Sequence, residues 1–228
     1  MTGVSRPEVG VLAVAFALAG LVTLAIVWAG DAAYVSLADP RGAAVHVAGG
    51  TQQIELPALV DVHRRTIAYV LSEAPALPDL PGRPGVPLFD ESETSHMRDV
   101  RTVFGGARVV QLGAFVVIAA VLLLRRTAGR AALLRAVRAA AVGATGGTAV
   151  VALAAAVAFD RLFLLFHEVF FPQGNFLFDP RSSNLLAVYP EPYWEGITLR
   201  IGGSFVLLAA AAAIAATATL RRHTISSR

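Results

Sequence analysis

The sequence predicts a mainly α membrane protein: four transmembrane helices with a small extracytoplasmic α+β cap. Three observations predict it. Of 228 residues, 56% are hydrophobic and only 15% charged, whereas a soluble domain carries about 25% charged residues. The deficit is concentrated in four long apolar runs, the kind of segment that crosses a hydrocarbon core of roughly 30 Å. The basic residues, all 19 of them arginine, cluster beside those runs.

The first run, residues 9–30, holds no charged residue. A cleaved signal peptide is the competing reading, and the length of the run disfavours it. The second is free of charge from Val109 onward and is assigned to 102–124, with Arg108 in its first turns. The third and fourth occupy 139–159 and 201–220. Arg125, Arg126, Arg130, Arg135 and Arg138 lie in the connection 125–138, and Arg221, Arg222 and Arg228 in the tail 221–228. Positive residues favour the cytoplasmic side. Both termini are therefore expected inside, and the long connections 31–101 and 160–200 outside.

The first outer segment has room for structure. Residues 44–48 and 51–56 alternate around Gly49-Gly50 as a hairpin would. Leu59, Val62, Thr66, Tyr69 and Val70 recur at helical spacing. Pro75, Pro78, Pro81, Pro84 and Pro87 mark a loop. Asp90, with Glu93 three residues on, has the form of a capping box opening a helix through His96. In the second outer segment, 161–171 is apolar apart from His167 and Glu168, and Pro172 ends it. Turns are expected at 173–175 and at Asp179-Pro180. Tyr189, Tyr193 and Trp194 suit an interfacial aromatic belt.

Several chemistries drop out. The chain has no cysteine, hence no thiol nucleophile and no thiolate metal site. Gly-rich phosphate loops and a Gly-x-Ser-x-Gly elbow are absent. The arginines flank apolar spans instead of forming a basic face with aromatic platforms, which excludes nucleic acid as a partner. Four spans almost devoid of polar residues argue against a transporter.

What remains is a pair of histidines. His96 and His167 fall on the same expected side, each near a span, and an ionisable group at that depth is a functional candidate. On a helix, Glu93, His96 and Asp99 share a face, so either carboxylate is placed to hold one ring nitrogen of His96. Glu168 is adjacent to His167 but points elsewhere on a helix. His46 and His63 are expected at the surface, and His223 in the solvated tail. A metal site from His96, His167, Glu93 and Asp179 stays open, although no ligand spacing supports it. So does the plainer possibility that both histidines are interfacial polar residues without a chemical role.

Residues 89–101, Phe-Asp-Glu-Ser-Glu-Thr-Ser-His-Met-Arg-Asp-Val-Arg, form one block. Residues 166–172, Phe-His-Glu-Val-Phe-Phe-Pro, with 175–180, Asn-Phe-Leu-Phe-Asp-Pro, form a second, ahead of Pro190-Glu191. Both resemble blocks of the four-span bacterial membrane protein family that includes the lipoprotein intramolecular transacylase. The resemblance spans the whole architecture, and it implies that His96 and His167 are catalytic.

It also implies an acyltransferase acting on the lipidated N-terminus of bacterial lipoproteins, in contact with membrane lipids, at the outer leaflet of the cell membrane. The sn-2 acyl chain of the S-diacylglyceryl cysteine would pass to that cysteine's α-amino group, giving the lyso form, and no cofactor is required. His167 is assigned as base and His96, backed by Asp99 or Glu93, as its partner; the reverse stays open. Glu168, Asn175 and Asp179 are orienting candidates, Asn175 also an oxyanion donor. Arg101, Arg108 and Phe171 are candidate substrate contacts. The alternatives are a non-enzymatic assembly or sensor protein and a His/carboxylate membrane metalloenzyme.

Overall fold

The computed structural model describes residues 6–226. Arg228 and the side chains of Arg6 and His223 lie outside the described residues. Among the described residues, four helices are long and apolar enough to cross a membrane: α1 (Arg6–Trp28), α4 (Glu91–Thr127), α5 (Arg130–Val157) and α8 (Glu191–Ser226). The chain is a multi-pass membrane protein. Between these helices come α2 (Asp31–Leu37), β1 (Ala43–Val47), β2 (Gly50–Ile54) and α3 (Leu56–Val70), and later α6 (Phe159–Phe170) and α7 (Asn184–Val188). The basic connection expected over 125–138 is mostly helical. Only residues 128–129 separate α4 from α5, and Gly129 makes the turn at φ +99°, a conformation glycine adopts without steric cost.

Two compact units divide the chain. The first comprises Met1–Ile26, Arg108–Ala154 and Leu199–Arg228. Its helices approach through small residues. Ala15 and Ala19 of α1 bury against Ala114 of α4, and Ala136 and Ala140 of α5 against Leu12. A side chain at Gly20 would meet the Phe205 ring at 2.5 Å. Close backbone approach is how apolar helices associate where lipid is as apolar as leucine. Glu8 and Arg125 form a bidentate ion pair, and Gln111 Nε2 donates to Thr23 Oγ1 at 2.8 Å.

The second unit comprises Val27–Ala107 and Ala155–Thr198. Here β1 and β2 pair antiparallel, with Val47 opposite Gly50, so the turn is Ala48-Gly49 and not Gly49-Gly50. A side chain at Gly42 (φ +89°) would collide with the Ile54 carbonyl. Asn184 pins the hairpin: its Oδ1 accepts from His46 N at 2.6 Å, and its Nδ2 donates to the carbonyls of His46 and Leu88.

On α3, Leu59, Val62, Thr66, Tyr69 and Val70 are buried as their spacing predicts. His63 is not at the surface: it is fully buried. Its ring stacks on Tyr34 with centroids 4.2 Å apart and planes 10° from parallel. Nε2 lies 2.9 Å from the Ala29 carbonyl and Nδ1 3.2 Å from the Tyr189 hydroxyl. Burial pushes this imidazole below its ordinary pKa. Tyr189 and Tyr193, expected in an aromatic belt, are instead buried against Tyr34. Tyr34 donates its hydroxyl to the Val188 carbonyl at 2.8 Å, and the Tyr189 hydroxyl pairs with His63 Nδ1, partners of the kind a buried tyrosine requires.

Candidate active site

The site is assembled on the first turns of α4 and the last turns of α6. Asp90 caps α4. Its Oδ1 accepts from Glu93 N at 2.8 Å, while Glu93 Oε2 accepts from Asp90 N at 3.0 Å. This reciprocal arrangement fixes the helix start and thereby the direction of His96, three residues on. Ala158 interrupts the helix after α5, with φ −147°. The chain then restarts as α6, which carries His167 in its last turn. Pro172 follows, and Gly174 (φ +76°) turns the chain so that 173–178 folds back onto α4.

The two imidazoles lie face to face, with centroids 5.8 Å apart and planes 23° from parallel. Phe171 packs against both, 4.7 Å from His96 and 5.4 Å from His167. Phe178 edges onto His96, while Phe163 and Phe176 lie against His167. His167 Nδ1 is 2.8 Å from the Phe163 carbonyl oxygen. A carbonyl only accepts, so in the neutral ring Nδ1 carries the hydrogen and Nε2 keeps its lone pair. Burial lowers the pKa of His167 against a smaller upward pull from that carbonyl. His96 is buried, and its Nδ1 makes no hydrogen bond; Asn175 Oδ1 is likewise buried and unpartnered.

The carboxylates are distributed differently from the helix-face expectation. Asp99 Oδ2 accepts from Asn175 Nδ2 at 2.6 Å and from Gln173 Nε2 at 2.7 Å. Glu93 is buried, and its Oε1 accepts from Ser183 Oγ at 2.5 Å and Leu185 N at 2.7 Å, so it anchors α7 instead of orienting His96. Asp179 organises its own turn through Arg181 N, and Glu168 is exposed. Arg101 is engaged by Ser72 Oγ, the Ala74 carbonyl and the Tyr69 ring. Arg108 is exposed on α4, in the other compact unit. Among the described residues, no three His, Cys, Asp or Glu side chains gather as a metal-binding group.

Gln173, Phe163 and Phe178 were not singled out from sequence. Phe163 had a faint signal in the spacing 163, 167, 171, which puts Phe, His and Phe on one face, and Phe178 had none. Gln173 had none beyond its place in a turn.

The model of the lipoprotein intramolecular transacylase Lit family matches residues 12–194. No curated protein matches the sequence. Among solved structures, the membrane integral lipoprotein intramolecular transacylase Lit from Bacillus cereus superposes with a TM-score of 0.67 at 16% identity, covering 98% of this chain and 97% of that one. A histidine-to-alanine variant of the same Bacillus cereus protein gives 0.66 at 13% identity, covering 96% and 95%. A histidine-to-arginine variant gives 0.65 at 14%, covering 98% and 94%. Likeness at this identity speaks for the fold, and the family match over most of the chain for descent. The chain belongs to the lipoprotein intramolecular transacylase family of acyltransferases.

Proposed function

We propose that this chain moves the sn-2 acyl group of an S-diacylglyceryl-cysteine lipoprotein to the α-amino group of the same cysteine, using His96 and His167 as acid and base. The observation that carries the reading is the facing pair of imidazoles, 5.8 Å apart in an otherwise phenylalanine-lined site. The α-amino nitrogen attacks the ester carbonyl, a C–N bond forms and the glycerol C–O bond breaks. One proton leaves the amine and one arrives at the glycerol oxygen. His167, with Nδ1–H held by the Phe163 carbonyl, offers Nε2 to take the first, and the same proton, handed on to His96, is the one delivered to the glycerol oxygen. Two imidazoles serve because an α-amino group has a pKa of about 7.7–8.0 and acid–base assistance contributes roughly 10²–10⁴-fold.

No enzyme nucleophile is needed, since amine and ester belong to one molecule. Holding them in contact supplies about 7–11 kcal/mol of the barrier. Phe171, packed on both rings, is placed to shape the acyl side of the site. Asn175, held through Nδ2 by Asp99, orients its free oxygen beside His96. The arginine-rich segments favour both termini in the cytoplasm and the site at the outer leaflet, with spans over 9–30, 102–124, 139–159 and 201–220.

The test is co-expression with a model lipoprotein in a strain lacking this activity, followed by mass spectrometry of the N-terminal lipopeptide. The unaltered chain yields N-acyl, S-monoacyl cysteine; His96→Ala and His167→Ala each leave the diacylglyceryl form. Undiminished lyso form in both variants overturns the assignment.

A further inference from the structure

One helix outside the four spans has an apolar surface left exposed among the described residues. On α6, Leu165, Phe166, Val169 and Phe170 are 47–64% exposed, and Leu177 beyond it is 77% exposed. At 3.6 residues per turn, those four α6 residues fill one arc and Asp160, Glu168 and Arg161 fill the rest, with Leu164, 44% exposed, between Asp160 and Glu168 and Arg161 bordering Leu165. Such a two-sided helix in water would leave a contiguous apolar patch, which a soluble surface avoids.

The chain itself indicates what covers the patch. Ala158 alone separates α6 from the end of α5, and Val157, the last residue of that apolar helix, is 78% exposed in the same compact unit. The α6 face therefore begins where a lipid-facing surface ends. A helix with charges along one side and Leu, Phe and Val along the other, starting at the hydrocarbon boundary, partitions into the interface with its apolar side among acyl chains.

We propose that α6 is seated in the membrane leaflet, with Leu165, Phe166, Val169 and Phe170 among lipid acyl chains and Asp160, Arg161 and Glu168 at the headgroup level. His167 sits at the edge of the buried face, its ring 5.5 Å from that of Phe166. A lipid-bearing substrate thus reaches the imidazole sideways, from the leaflet, past Phe166. This last consequence rests on the acyl-transfer reading; the seating does not.

The absence of cysteine makes the test direct. Single variants Arg161→Cys, Leu165→Cys, Glu168→Cys and Val169→Cys are nitroxide-labelled in vesicles of phosphatidylethanolamine and phosphatidylglycerol. Collision with oxygen, which concentrates in lipid, is compared with collision with a water-soluble nickel chelate. The expected result is an oxygen-to-nickel ratio severalfold higher at 165 and 169 than at 161 and 168. Equal ratios at all four positions overturn the proposal, as water would then bathe both faces. Labels at 165 and 169 shielded from both reagents and broadened by a neighbouring label also overturn it, in favour of a second copy of the chain. Val169→Trp, read as extra fluorescence quenched by lipids brominated on their acyl chains, gives the same answer without a spin label. The result stands or falls in His96→Ala protein as in the unaltered chain, so it is separable from the fate of the acyl-transfer reading.

Discussion

Asp99 grips Asn175, with Oδ2 and Nδ2 2.6 Å apart, and forms no ion pair with His96 among the described residues. A carboxylate accepts only, so it dictates that Asn175 presents Nδ2 to it and Oδ1 elsewhere. Among the described residues, Oδ1 is then one of two buried side-chain polar atoms without a hydrogen-bond partner, the other being His96 Nδ1. Buried polar atoms are rarely left so without a functional reason. Asp99→Asn removes the dictate while conserving shape. Acyl transfer should fall by about 10²-fold, the scale of a small misplacement of a catalytic group, with little change in melting temperature. Unchanged turnover would refute a role for the Asp99–Asn175 contact in the chemistry.

The two histidines should be individually indispensable. His96→Asn and His167→Asn each remove a proton carrier and leave a polar side chain of modest size. A loss of roughly 10²–10⁴-fold in lyso-form production is expected for each, measured by mass spectrometry of a purified reporter. The double variant should be little worse than either single, because groups acting as a unit are non-additive.

Acidification should affect rate and stability in the same direction. Burial lowers the pKa of His167 below its ordinary 6.5, so the neutral, proton-accepting form persists below that pH. The acid limb of the rate profile should therefore lie below about 6.5; a limb above it would contradict the burial argument. The sign for stability follows by linkage. His63 and His167 both have folded values depressed below their unfolded ones, so below about 6.5 the unfolded chain binds more protons. Their contribution is complete above that value and is lost as pH falls through the folded values. A melting temperature that rises on acidification from pH 7 to 5 would speak against it.

His63 should be a stability residue with no catalytic role. Substituting Phe preserves the stacking area on Tyr34 but takes the donor from the half-buried Ala29 carbonyl and leaves the Tyr189 hydroxyl with Thr66 as its side-chain partner, at about 1–3 kcal/mol in all. Substituting Ala adds a cavity and costs more. Thermal unfolding in detergent checks both variants, and the fraction of protein that remains folded should turn over normally.

Glu93 is expected to behave as a structural anchor. Glu93→Ala strands Ser183 Oγ, Leu185 N and Asp90 N together, at about 1–3 kcal/mol per buried donor. Glu93→Gln keeps acceptors for part of the set and should retain more folded protein. If Glu93→Ala instead lowers activity with an unchanged melting temperature, the residue belongs to the chemistry.

Much of this was decided locally. An apolar run in lipid must satisfy every backbone group within itself, so it is helical whatever its neighbours do, and four such runs could be read directly from composition. The Asp90–Glu93 capping box and the turns at Gln173-Gly174-Asn175 and Asp179-Pro180 involve groups a few residues apart, and short-range chemistry specified them. The candidate histidines were visible because an ionisable group beside an apolar span is costly. Helical spacing could say that Glu93, His96 and Asp99 share a side, but not which donors would reach that side from elsewhere in the chain. Ser183 and Leu185 claimed one carboxylate, Asn175 and Gln173 the other. His63 was misread for the same reason. Its position beside Val62 and Thr66 on the buried stripe of α3 was available from the spacing, but Tyr34, Ala29 and Tyr189, which make burial of an imidazole tolerable, are distant in sequence. Only the tertiary fold could bring such partners together, because a polar side chain is buried or exposed according to whether its hydrogen bonds are met on the inside.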